Sequence, residues 1–104
     1  MQIKKLDLGT DEFSVTTLTE LLPEGKGRLK IGTATFPKGK RYPETGLAPH
    51  AEREFSLVLE GALDIETADG IRRAAAGEVI IMNPGEPHAS LALEDSKVFY
   101  VLFG

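Results

Sequence analysis

At 104 residues the chain is long enough to enclose one modest core and too short for two, so a single domain spanning residues 1–104 is expected. Cysteine is absent, which removes disulfides and thiolate ligation and leaves imidazole and carboxylate as the groups that could hold a transition metal. A formal net charge of -4 at pH 7, with no long run of Lys or Arg, argues against a nucleic-acid surface.

Taken in chain order, the residues from Met1 to Phe13 lack the unbroken apolar stretch of a signal peptide. Strand signals begin early, at Ile3 to Leu8 and at Phe13 to Thr19, and continue at Arg28 to Phe36. Leu18 to Leu22 is the best candidate for a helical turn and is stopped by Pro23. Pro37 to Pro49, rich in Pro, Gly and charge, reads as a loop at the mouth of a barrel. Ala62 to Ala74 reads as a hairpin around Asp69-Gly70, since Asp-Gly supplies the positive φ angles of a tight turn between twisted strands. Further strands follow at Glu78 to Met82 and Lys97 to Phe103. The longest apolar run, Val98 to Phe103, is far too short to cross a bilayer, so no membrane partner and a cytoplasmic location are expected. Many short antiparallel strands imply an all-β sandwich or barrel.

Two segments carry the chemistry. His50 to Gly61 places a histidine and two carboxylates ahead of an apolar strand, and in a regular strand His50, Glu52 and Glu54 share a face. A turn or bulge at Arg53 would break that alternation. Gly77 to Ser90 runs a strand into a Pro-Gly turn and starts a new strand at His88. Both histidines of the chain therefore stand where strands begin, each directly after a proline. Two imidazoles and a carboxylate meeting at one point form a facial triad that leaves coordination positions open for water or substrate.

This pair of segments resembles the two motifs of the cupin superfamily. The first, near 42–61, matches at His50, Glu54 and Gly61, with Ala48 where the family has another histidine and Tyr42 where it has a glycine. The second, near 77–92, matches at Gly77, Gly85 and His88, with Asn83 at the proline position beside Pro84 and Ala92 in place of an asparagine. The resemblance implies a double-stranded β-helix, or jelly-roll barrel, with His50, Glu54 and His88 as ligands of a divalent Mn, Fe, Ni, Cu or Zn ion. Glu52 is a reserve ligand and a candidate general base, against the competing reading of a solvated surface carboxylate. For Glu54 the competing reading is a surface ion pair with Arg53 or Arg73. Arg41, Tyr42 and Arg53 flank the site in sequence and are candidate contacts for an anionic substrate. Tyr100 and Met82 are assigned to the core.

The expected function is that of a metal-dependent enzyme on a small polar or anionic molecule, of the isomerase, dioxygenase, lyase or decarboxylase type. The alternatives are a non-catalytic metal or ligand sensor and a metal-free barrel whose histidines merely pack. A homodimer is also expected. In Phe55 to Leu59 and Val98 to Phe103 both strand faces are apolar, and one would otherwise meet water unless Ile3 to Leu8 and Phe13 to Thr19 fold back across it.

Overall fold

Short β-branched and aromatic segments separated by glycine and proline cannot sustain helices, and the computed structural model shows none among its described residues, 1–6, 8, 11–21 and 27–104. The strands are β1 (Ser14–Leu21), β2 (Leu29–Phe36), β3 (Arg41–Tyr42), β4 (Arg53–Glu60), β5 (Ala62–Thr67), β6 (Gly70–Ala75), β7 (Val79–Met82), β8 (Ala89–Ala92) and β9 (Ser96–Phe103). They form a five-stranded sheet in the order β1-β2-β9-β4-β7 and a four-stranded sheet in the order β3-β8-β5-β6. Every pairing is antiparallel. The expected jelly-roll barrel results, with its core between the two sheets.

Residues 18–21 belong to β1, so no helical turn forms there, and Leu22 lies outside the described residues. Residues 3–6 form no strand. The loop expected over Pro37 to Pro49 contains the short strand β3 and an isolated bridge from Ala48 to His88. The hairpin stands where expected, but its turn is displaced by one residue. Thr67 pairs with Gly70, so the two connecting residues are Ala68 and Asp69, and the positive φ falls on Gly70 at 124°.

The inward face of the large sheet carries Ala34, Phe36, Val58 and Val98, which meet Leu63, Ile65, Ala74 and Ala92 from the small sheet. Val58 and Leu63 are sealed from solvent, and burial on that scale stabilises by roughly 2 kcal/mol each. At the closed end Gly61 turns the chain at φ 87°, and an added Cβ would collide with Ser96 and the Asp95 carbonyl.

Register arranges the inward side chains of β2, β9 and β4 in rows that run across the sheet. Ala34, Val98 and Val58 form the deepest, followed by Gly32, Tyr100 and Ser56, and then by Lys30, Leu102 and Glu54. Beyond the strand ends Arg28 and Gly104 continue the ladder by backbone bonds of 3.2 and 3.0 Å, and the Glu52 Cα lies 3.4 Å from where a Gly104 Cβ would stand. Charge therefore appears only toward the open end, in the last of these rows.

On the opposite face of the same sheet the alternate residues are apolar. Ile31, Val101, Phe55 and Ile81 follow one another across four strands, and Phe99, Leu57 and Val79 form the row beside them. Leu8 covers one end of this face, where its carbonyl accepts bonds from Thr35 Oγ1 at 2.5 Å and Lys97 Nζ at 2.9 Å. β1 lies in the sheet as an edge strand and does not fold over it. Val79 and Ile81, at 54% and 58% exposure, stay open to solvent.

Candidate metal centre

The bridge between Ala48 and His88 ties the segment before β4 to the segment before β8. Each residue's N–H donates to the other's carbonyl, at 2.9 and 3.0 Å, and Gly85 N–H donates to the His50 carbonyl at 2.6 Å. Gly85 allows the turn with φ 74°. These backbone bonds fix both histidines beside Glu54, which arrives on β4 from the other sheet. His50 Nε2 lies 3.3 Å from Glu54 Oε1, and His88 Nε2 lies 3.9 Å from Glu54 Oε2. The imidazole centroids are 5.1 Å apart, and donor atoms of all three residues fall within 4.8 Å of one another.

His88 Nδ1 stands 3.2 Å from the Glu86 carbonyl. A carbonyl can only accept, so Nδ1 is the donor in this contact, and Nε2 is the ring atom that faces Glu54. A hydrogen bond of this kind orients a metal-binding imidazole and raises its basicity. Ligand bonds near 2.1 Å bring neighbouring donors on one ion to about 3 Å, close to the shorter separation seen here and within a small side-chain adjustment of the longer one. The donor set, two imidazoles and a carboxylate without sulfur, suits a borderline divalent ion. Glu54 and His88 are largely buried, at 15% and 11% side-chain exposure, while His50 at 37% faces the opening.

The expected triad of His50, Glu54 and His88 is thus brought together. Glu52 sits in a bend over residues 51–52, ahead of β4, so the regular alternation does not hold there. It borders the cavity but is not part of the three-donor group. Arg53 instead bonds Asn83 Oδ1 at 3.1 Å, and Arg73 bonds Asp64 at 3.3 Å, so neither arginine competes for Glu54. Arg41 is turned outward: its guanidinium holds the carbonyls of Pro43 and Gly46 at 2.7 and 2.9 Å and lies 3.4 Å from Glu66. Of the flanking residues expected to meet substrate, Tyr42 lines the cavity and Arg41 and Arg53 do not.

That cavity, of about 470 Å³, lies within the range that small-molecule sites occupy. Its walls include Ser56, Ser90, Lys30 and Tyr100, none of which the strand pattern alone marks as functional. Tyr100 is only 7% exposed, as a core residue would be, but its buried hydroxyl has no hydrogen-bond partner among the described residues. Such an unsatisfied group costs roughly 1–3 kcal/mol unless something completes it. A second cleft of about 350 Å³ runs between β6 and β7, away from the histidines.

Ala48 lines the cavity directly opposite His88. Paired residues in an antiparallel bridge present their side chains on the same face, with Cα atoms about 5.5 Å apart. Ala48→His is therefore expected to add an imidazole beside the triad and to tighten Ni or Zn binding by about tenfold or more, read by calorimetric titration. Unchanged or weaker affinity would place position 48 away from the ion.

A family model described as "Cupin domain" matches residues 32–104. A protein of unknown function from Rhizobium leguminosarum bv. viciae superposes with a TM-score of 0.77 at 21% identity, covering 99% of this chain and 98% of that one. A conserved protein of unknown function from Streptococcus pyogenes gives 0.73 at 25% identity, covering 99% and 89%. A Cupin 2 conserved barrel domain protein from Salinispora arenicola gives 0.72 at 19% identity, covering 100% and 89%. No curated protein matches the chain.

Proposed function

We propose that this chain, which belongs to the cupin domain family, is a metal-dependent enzyme acting on a small polar or anionic molecule. The observation that carries the reading is the convergence of His50, Glu54 and His88, from two separate segments of the chain, at one end of a cavity. When bound there, a divalent ion supplies Lewis-acid polarisation of a coordinated oxygen. The protein's own residues do the rest. Glu86 holds the His88 imidazole in the tautomer that presents Nε2, and the Ala48 bridge keeps both histidines on one strip of backbone. Glu52, at the cavity's edge, is positioned to take a proton from a ligand as general base. The apolar lower wall of Ala34, Val98 and Leu63 excludes water from the deep end.

The test is elemental analysis of protein purified without a histidine tag or added metal. About one divalent ion per chain from the Mn, Fe, Ni, Cu and Zn group is expected. The same substoichiometric content in wild type and in a His50→Ala/His88→Ala variant after dialysis would remove the site.

The reading extends to the assembly: two copies pair through the apolar outer face of the five-stranded sheet. Its support is the exposure of Val79, Ile81 and Phe103, with Phe103 stacked on Phe55 at 5.5 Å. Soluble chains rarely leave so continuous an apolar surface uncovered.

A further inference from the structure

Resting on the metal reading above, we infer that the ligand of this cavity is a short organic dianion, held by the ion at one end and by Lys30 at the other. Lys30 and Glu54 stand in the same inward row, separated by Leu102 on β9. Two inter-strand spacings put their backbones about 10 Å apart on one face of the sheet, a separation that a small molecule lying along that wall can span. Lys30 lines the cavity, and among the described residues its ammonium has no ion pair. Its neighbour across the β1 pairing, Glu20, is engaged by Arg28 at 2.9 Å.

A cation without a counter-ion among the described residues is completed by one carboxylate of a bound molecule. Glu54 stands at the other end of the same row, where the two imidazoles meet it, and an oxygen at the far end of the same molecule reaches the ion there. A neutral ligand would leave Lys30 unpaired, and a monoanion would satisfy one end at the expense of the other.

Calorimetric titration of the Zn-loaded protein with succinate and with butyrate tests this, since the two probes have similar length and differ by one charge. Succinate is expected to bind about tenfold or more tightly than butyrate, the range a charge-assisted contact provides. Lys30→Met should erase that preference while leaving Zn affinity within about twofold, and Lys30→Arg should restore most of it. Zn uptake in wild type with succinate no tighter than butyrate, or with Lys30→Met retaining the preference, overturns this inference alone. Failure of the wild type to take up Zn overturns the metal reading, and this inference with it.

Discussion

His88→Ala is expected to lower the affinity for Zn or Ni by more than about 100-fold while the barrel stays folded. Removing a group that merely orients a metal ligand costs 10- to 100-fold in comparable sites, and this change removes the ligand itself. His88 is also the most tightly held member of the triad. Its ring is buried, its Nδ1–H is engaged by the Glu86 carbonyl, and its backbone is bonded in both directions to Ala48. Alanine keeps the backbone bonds, so the strip that carries His50 remains in place. The loss should therefore register in competition against a chromophoric chelator, with far-ultraviolet circular dichroism unchanged. Equal affinity in wild type and variant would mean that the ion, if bound, sits elsewhere.

The second large effect concerns assembly. Wild-type protein is expected to sediment as two chains at micromolar concentration, and Leu57→Lys to shift it to one. Leu57 lies centrally on the outer face, between Phe99 and Val79 in its row and beside Phe55 on its own strand. A two-fold contact repeats any substitution, so both copies would bury an ammonium in apolar surroundings, at a cost of several kcal/mol each. Dimer dissociation should accordingly strengthen by about two orders of magnitude or more. Ile71→Lys, at an exposed position on β6 in the other sheet, serves as the control and should leave the mass unchanged. A wild-type mass of one chain throughout a dilution series would sink the dimer, and Leu8 would then be the cover that the described residues place at one end of that face.

The parts of this architecture that were legible in sequence are those where spacing carries chemistry. His50, Glu54 and His88 could be named because three ligand-type residues fit one recurring interval, and the glycines at 61 and 85 because turns need their positive φ. Other features depend on register, which a single chain does not display. Lys30 belongs to the cavity only because β2 pairs with β9 in the frame that sets it beside Leu102. Nothing within Leu29–Phe36 says which face turns inward, since Lys30 alternates with Gly32 on one side and Ile31 with Thr33 on the other. Tyr100 was read as core, and it is buried, but its place in the cavity wall follows from the room that Gly32, lacking a side chain, leaves for its hydroxyl. Arg53 was legible in principle. It is adjacent to Glu54, so a strand that aims one inward must aim the other out. Arg41 was not, because the two-residue strand β3 is too short to announce its parity.

The Ala48 bridge has a mechanical consequence. His88 leads into the four-stranded sheet, His50 is laced to it by backbone hydrogen bonds, and Glu54 belongs to the five-stranded sheet. An ion held by all three, as proposed, would therefore fasten the two sheets together at the open end of the barrel. In a chain without cysteine, it would take the place of a cross-link. Unlike a disulfide, such a clasp would open reversibly with the supply of metal, so the rim of the barrel would loosen or tighten with the composition of its surroundings.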